Sequence, residues 1–331
     1  MRENKFDVLT IGNAIVDVIA QVDEDFVTQQ NLVKGSMNLI DEARAENLYA
    51  VMGQATEVSG GSAGNTAAGV ASFGGRAAYF GKVKDDQLGV IYRHDMRAQG
   101  VAFDTAAAKD GPATARSFIL VTPDAERTMN TYLGACVHLG IADVDAAVVE
   151  ASAVTYMEGY LWDKPEAKEA FRLAASIARK AGKFTSITLS DSFCVERHRD
   201  SFLGLIRNHI DIVFANESEI KSLYKTQNFD GAVAAIRKDC PMAALTRSAQ
   251  GSVVVRGDQT VAVSAQHVSK VVDVTGAGDL YAAGFLHGFT KGASLATCAA
   301  LGSFAAAEVI SHTGARPAFH LGHAASQAGL I

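Results

Sequence analysis

Cysteine is scarce: Cys136, Cys194, Cys240 and Cys298 stand far apart, with no Cys-x-x-Cys pair among them. Lacking that pair and any histidine at ligand spacing, the chain offers no zinc site. Scattered cysteines suit a reduced compartment and use as small core residues, so a cytoplasmic protein is expected. Positive charge is in deficit as well. A formal net charge of −6 gives no electrostatic reason for nucleic acid or an anionic membrane as partner. Small anions remain within reach, because backbone dipoles bind them whatever the net charge. The N-terminal MRENKFDVLTIGN has no basic segment followed by an apolar one and does not read as a secretory signal. Long apolar runs are missing too. The nearest, GASLATCAALGSFAAAEVI over 292–310, is rich in Ala, Ser and Gly, which suits a helix pressed against a sheet better than lipid. No G-x-x-x-x-G-K-[ST] occurs, and neither GNA at 12–14 nor GAGDLY at 276–281 completes the dinucleotide fingerprint. Walker-type loops and nicotinamide binding drop out.

What is present is enough to build a large folded unit. Of 331 residues, 48% are hydrophobic and 20% charged, which argues for a substantial core and against general disorder. Apolar stretches at 6–11, 77–83, 117–122, 153–157, 184–189, 210–215, 243–246 and 252–255 read as strands. Helical patterns separate many of them. PEAKEAFRLAASIARK at Pro165–Lys180 has proline in its first turn and basic residues in its last. This alternation predicts an α/β fold with a mostly parallel central sheet flanked by helices. Two regions break the rhythm. Residues 18–41 hold a short strand pattern (18–22), a polar helix-like run and a second strand (36–40). Residues 113–133 hold two strand patterns joined by the turn-like TPDAE at 122–126. With no long crossover between them, such strands read as antiparallel hairpins outside the main sheet. Together they predict a small accessory sheet built from two insertions in one domain spanning 1–331. No internal repeat, low-complexity tract or interdomain linker is visible.

Two glycine-rich stretches carry chemistry. In SGGSAGNTAAG at 59–69, the residues Gly60-Gly61-Ser62-Ala63-Gly64 spell G-x-S-x-G. Serine hydrolases expose a nucleophile at that spacing. Ser62 is therefore a nucleophile, a ligand contact or filler in a small turn. Residues 54–59 make a poor buried strand for such an elbow, and no HGGG-type segment occurs, although late histidines such as His312 complete the required order. The second stretch, DVTGAGDLYAAGF at 273–285, follows a strand-like Val271-Val272 and opens an apolar helical pattern. Gly276-Ala277-Gly278 presents no bulky side chain, and the leading N–H groups of a helix lack partners, so the turn is an anion cradle. Asp279 follows in the first helical turn. An anion cradle beside a carboxylate base is what phosphoryl transfer to an alcohol needs. The donors neutralise the moving group, and Asp279 takes the hydroxyl proton.

Taken together, the two stretches make the sequence resemble the ribokinase-like, or PfkB, family of carbohydrate and nucleoside kinases over essentially its whole length. Residues 273–285 fit the family's C-terminal signature at every defined position, and Gly60, Gly61 and Asn65 fit the N-terminal one. The resemblance implies a three-layer α/β/α fold in which the accessory sheet is a lid over the substrate. It implies Asp279 as catalytic base, Gly276, Ala277 and Gly278 as the anion hole, ATP as donor and magnesium as cofactor. Sugar contacts carry over to Asn13 and Asp17 in GNAIVD, and to Gly61 and Asn65. A carboxylate such as Asp17 accepts two hydrogen bonds from a diol. Asn216 and Glu219 in NESE match the N-x-x-E motif that organises magnesium and phosphate through water, while Asn216 alone suits a helix cap. Thr246 and Gly251 in TRSAQG fall beside the nucleotide, with Ser248 where the family usually has glycine. Asp273 and Thr275 fall where some members bind potassium. Residues 302–306 (GSFAA) fit a helix bordering the nucleotide base, Ser303 replacing an Asn common in sugar kinases.

The acceptor is read from smaller signs. Gly60-Gly61-Ser62 resembles the family's adenosine kinases, where its sugar kinases often have Gly-Gly-Lys-Gly or Gly-Gly-Ala-Pro. A Ser62 hydroxyl hydrogen-bonds a ring nitrogen that a free sugar lacks. Glu126-Arg127-Thr128 and His312-Thr313-Gly314 resemble the same group's lid and C-terminal loop, so Arg127 is expected to reach the phosphate on lid closure. Met37 and Leu133 either cover the base or pack the small sheet. The expected activity is transfer of the ATP γ-phosphate to the ribose 5′-hydroxyl of a nucleoside, adenosine first, by a monomer or a lid-paired homodimer. The alternatives are a ribokinase- or fructokinase-type enzyme acting on a free sugar, a kinase fold kept as a ligand-binding regulator and, remotely, a serine hydrolase using Ser62.

Overall fold

Six consecutive residues, Phe6–Ile11, are buried, as a strand must be when helices cover both faces of its sheet. They form β1 in a computed structural model that describes residues 4–124 and 126–331. Met1 to Glu3 and Ala125, the latter within the turn expected at 122–126, lie outside the described residues. The strands that follow are β2 (Ile15–Gln21), β3 (Met37–Leu39), β4 (Thr56–Ser59), β5 (Ala77–Phe80), β6 (Val101–Ala102) and β7 (Ala115–Val121). Next come β8 (Arg127–Tyr132), β9 (Ser152–Glu158), β10 (Phe184–Thr188), β11 (Ile212–Asn216), β12 (Met242–Thr246), β13 (Ser252–Arg256) and β14 (Gln259–Val263).

Nine strands make one sheet in the order β14-β13-β12-β11-β10-β9-β1-β5-β6. Every pair from β6 to β12 is parallel, and β13 and β14 run antiparallel to their neighbours at one edge. One apolar cluster packs the helices Ser62–Ser72, Ala277–Thr290 and Leu295–Val309 against the sheet. A second cluster buries Pro165–Lys180, Ser192–His209 and Phe229–Asp239. The result is the expected three-layer α/β/α arrangement. Pro165–Lys180 forms within its expected bounds, because Ala167, Ala170, Phe171, Ala174 and Ala178 recur at helical spacing and are all buried.

The second sheet is wider than expected and differently wired. Its order is β3-β8-β7-β2-β4. β7 and β8 do form the expected antiparallel hairpin. β2, however, runs parallel to β7, and β3 parallel to β8, so residues 18–41 make no hairpin of their own. The helix Glu24–Gln29 lies between β2 and β3 and carries the chain to the far side of β8. The sheet draws on residues 15–59 and 115–132, because β2 starts at Ile15 and β4 closes an edge beside it. Met37 and Leu39 on β3 are exposed and Leu133 is partly buried, so Met37 is not core packing for this sheet.

One further expectation changes. Val271 and Val272 form no strand; the Val272 N–H donates to the Ile310 carbonyl at 2.8 Å, so the segment is tied to a helix end. The helix in 292–310 packs against the sheet as expected, and its small residues also serve a helix–helix contact: a Cβ at Gly302 would lie 2.7 Å from the Tyr281 carbonyl oxygen. A Cβ at Gly284 would lie 2.4 Å from the Leu301 carbonyl oxygen, so the helix Ala277–Thr290 comes close to Leu295–Val309 only because that atom is missing. Among the described residues, no helix is long and apolar enough to cross a membrane. All four cysteines are buried and unpaired.

Candidate active site

The site begins with a turn that only glycine can make. Gly61 caps the helix Ser62–Ser72 at φ +81°, and a Cβ there would lie 2.1 Å from the Asn13 carbonyl oxygen. This contact seats the first turn of that helix against β1 and turns two side chains towards Asp279. Ser62 Oγ donates to Asp279 Oδ1 at 2.6 Å, and Asn65 Nδ2 to Oδ2 at 2.8 Å. Asp279 occupies the first turn of Ala277–Thr290, behind Gly276 at φ +79°. A Cβ on Gly276 would press on Ala315 at 2.8 Å.

Of the cradle amides, Ala277 donates to the Val274 carbonyl at a long 3.3 Å. The N–H groups of Gly276, Gly278 and Asp279 reach no acceptor among the described residues, and Gly278 opens onto free space. Three unclaimed donors at a helix start are the elements from which anion sites are built. Burial raises the Asp279 carboxyl above its ordinary pKa; the Ser62 and Asn65 hydrogen bonds and the Arg316 charge pull it down without cancelling that rise. A raised pKa makes a stronger base, and the group must be ionised to act as one. Rate should fall as pH drops through that pKa. Ser62→Ala removes one of the lowering contacts, so the acid limb of kcat is expected to move to higher pH. An unmoved limb in a pH profile would show that Ser62 does not tune Asp279.

Asp17 lies on β2, half-buried, and no protein group among the described residues donates to its carboxylate. Burial, reinforced by the nearby charges of Asp273 and Asp279, pushes its pKa up to about 7 against the opposing pull of Arg316 and Arg127. Gly60 makes room for it, since a Cβ there would meet Asp17 Oδ2 at 2.4 Å. Asn13 and Asn65 each hold a buried Oδ1 without a partner. A desolvated carboxylate and two orphaned amide oxygens are costly unless a ligand supplies donors.

The other expected residues fall in three groups. Arg127 Nη1 bonds Asp273 Oδ2 and, at 2.8 Å, Thr275 Oγ1, while its buried Nε meets no partner. Asn216 and Glu219 close a reciprocal cap on the helix Glu217–Leu223: Asn216 Oδ1 accepts from the Glu219 N–H at 2.9 Å, and Glu219 Oε2 accepts from the Asn216 N–H at 2.9 Å. Burial pushes Glu219 up to about 7. Thr246 ends β12, and Gly251 turns the chain into β13 at φ +83°. Ser248 adopts φ +50°, the left-handed conformation that the usual glycine takes without strain. Ser303 accepts from the Gln266 N–H at 2.9 Å and sits on Leu295–Val309. The hydrolase geometry fails. Ser62 is spent on Asp279, and His312 pairs with Glu308 at 3.1 Å. For the same reason Ser62 cannot also donate to a ring nitrogen; it has only lone pairs left to offer.

Two residues escaped the sequence reading. Glu158, buried at the end of β9, accepts from the Asn13 Nδ2 at 2.8 Å and the Ala63 N–H at 2.8 Å. It thereby fixes which way the Asn13 amide faces. Burial pushes it up to about 7. A lone carboxylate closing the apolar run SAVTYME was the available signal. Arg316 donates to the Ser59 carbonyl through Nε at 3.1 Å and Nη2 at 3.0 Å, and through Nη1 to the Gly64 carbonyl, so it clamps both ends of the glycine turn. Only its place in a Gly-Ala loop hinted at this.

Comparison with known proteins gives a consistent picture. The family model described as pfkB family carbohydrate kinase matches residues 6–320. The crystal structure of adenosine kinase from Sinorhizobium meliloti is 60% identical, with a TM-score of 0.91, covering 98% of this chain and 99% of that one. A probable sugar kinase from Rhizobium etli is 56% identical, with a TM-score of 0.92, covering 99% of this chain and 100% of that one. The adenosine kinase of Saccharomyces cerevisiae is 27% identical over 329 residues, 92% of this chain and 95% of its own length.

Proposed function

The chain belongs to the pfkB family of carbohydrate kinases, and we propose that it transfers the ATP γ-phosphate to the ribose 5′-hydroxyl of a nucleoside, adenosine foremost. The observation that carries this reading is Asp279, a carboxylate of raised basicity beside three unclaimed amides. Ribose hydroxyls donate to the orphaned Asn13 and Asn65 oxygens and to the unpartnered Asp17 carboxylate. With the sugar so held, its 5′-oxygen faces Asp279. That carboxylate takes the hydroxyl proton as the oxygen bonds to the γ-phosphorus, while the bond from that phosphorus to the β,γ-bridging oxygen breaks and ADP departs. The N–H groups of Gly276, Gly278 and Asp279 hold the phosphoryl oxygens meanwhile. The second sheet serves as the lid over the sugar, in a single cytoplasmic kinase domain that works as a monomer or as a homodimer paired through that sheet.

Magnesium fits the residues present only as an ion carried by phosphate and water. Among the described residues no three His, Cys, Asp or Glu side chains gather to cage a metal. Glu219 keeps a spare lone pair on each carboxylate oxygen for ordered water, whereas Asn216 Oδ1 is filled by the Glu219 N–H and the Ser218 hydroxyl. When bound, magnesium neutralises the phosphate charge.

The second reading, a free-sugar kinase, is favoured by the Rhizobium etli relative, a probable sugar kinase. Turnover with Mg–ATP and adenosine, inosine, guanosine, cytidine, ribose or fructose separates the two. Adenosine is expected to be the best acceptor, with the free sugars inert. Fast ribose phosphorylation with no nucleoside turnover would reverse the assignment.

A further inference from the structure

The segment leading into the anion cradle already holds a cation. Asp273 is buried, and Oδ1 accepts the Thr275 N–H at 3.0 Å and the Thr275 hydroxyl at 2.7 Å. Oδ2 accepts the Gly314 N–H at 2.8 Å and the Arg127 Nη1. A carboxylate offers about four lone-pair sites, and here all are taken. The Thr275 hydroxyl donates to Asp273 and accepts from Arg127 at 2.8 Å, which leaves it a single lone pair. Of the two residues to which a potassium ion carries over by resemblance, Asp273 has no side-chain lone pair left and Thr275 keeps one, so their side chains do not make the several-oxygen cage such an ion needs.

We propose that the Arg127 guanidinium is the permanent cation of the anion-cradle segment, holding Asp273 and Thr275 in place so that neither stability nor turnover requires a monovalent metal. Guanidinium suits the task because it is always ionised, weakly hydrated and able to fork between two oxygens. Its side chain is only 14% exposed and that of Asp273 only 5%, so the pair is shielded from bulk salt. The nearby positive charge also keeps the Asp273 carboxyl below its ordinary pKa despite burial, after the larger contributions of the Gly314 and Thr275 hydrogen bonds. Arg127 belongs to β8 in the second sheet, whereas Asp273 and Thr275 precede Gly276. The same contact thus makes the cradle's geometry depend on that sheet being docked.

The test uses the full chain in potassium, sodium and choline chloride at equal ionic strength. The thermal midpoint and the adenosine kinase rate of the parent protein are expected to differ by no more than about twofold in rate, with no potassium-specific rise in midpoint. Arg127→Ala is expected to lose about tenfold or more in kcat and to gain a response absent from the parent. In it, potassium or added guanidinium should raise the midpoint and restore rate where choline does not. A parent enzyme stimulated about tenfold by potassium, or stabilised by potassium alone, overturns the proposal. So does an alanine variant that is folded, slow and indifferent to every cation. If that variant does not fold, the parent measurements decide. The rate arm rests on the kinase reading: a parent with no phosphoryl transfer in any salt defeats that reading, while the midpoints still judge the cation.

Discussion

Asp279→Asn is expected to lower kcat with adenosine by about 10²–10⁴-fold, the range that a positioned general base contributes. The side chain keeps nearly its size, and the helix start that presents it is set by Gly276 and Ala315 rather than by the carboxylate. What changes is basicity. A carboxamide cannot take the 5′-hydroxyl proton, and its NH₂ faces the Asn65 or Ser62 donor that a carboxylate would accept. Nucleoside affinity should move far less, because Asn13 and Asp17 remain, and calorimetric titration in the absence of ATP isolates that term. A residual rate above solution is expected from the cradle amides, since losing the base leaves them in place. An asparagine variant that turns over as fast as its parent would remove Asp279 from the chemistry and leave the free amides without a reaction to serve.

What was legible in the sequence was whatever local pattern determines. Pro165–Lys180 kept its bounds because the proline at its start and its apolar spacing are local facts. The turn of free amides beside Asp279 was legible because Gly276-Ala277-Gly278-Asp279 places them within four residues. Strand existence survived too, with edges shifted by a residue or three, as for 77–83 against the observed Ala77–Phe80. Partner choice did not survive. Nothing in the period-two pattern of β2 states that it will lie parallel to β7, nearly a hundred residues later, rather than fold back as a hairpin. Val271-Val272 has strand composition, yet its N–H found a helix-end carbonyl. Glu158 and Arg316 were illegible for the same reason: each acts on a turn far away in the chain. Arg127 was flagged as functional, but its partner Asp273 is fixed only once the second sheet docks.

Asp17 should control acceptor binding as strongly as Asp279 controls the chemical step. Two hydrogen bonds from a ribose diol to a charged acceptor are each worth about 1.5–3 kcal/mol. Asp17→Ala is therefore expected to raise the KM for adenosine about 10²-fold or more, with kcat changed little, because those bonds exist in ground and transition states alike. Preference for adenosine over its 2′,3′-dideoxy analogue should collapse in the same variant. Both readouts come from steady-state kinetics, and an unchanged KM would place the sugar elsewhere. The isosteric Asp17→Asn adds a pH test. With the Asp17 carboxyl pushed up to about 7, parental kcat/KM should decline as pH falls below that value, and the asparagine variant should lose this limb. Stability moves oppositely. A carboxyl whose pKa is raised on folding contributes stability below its unfolded pKa, and that contribution is lost as pH rises through about 7. The unliganded asparagine variant should therefore melt higher than its parent at pH about 8 and show no such gain at pH about 4. A residue that weakens the empty protein at working pH and tightens it on the diol is placed for binding rather than for folding.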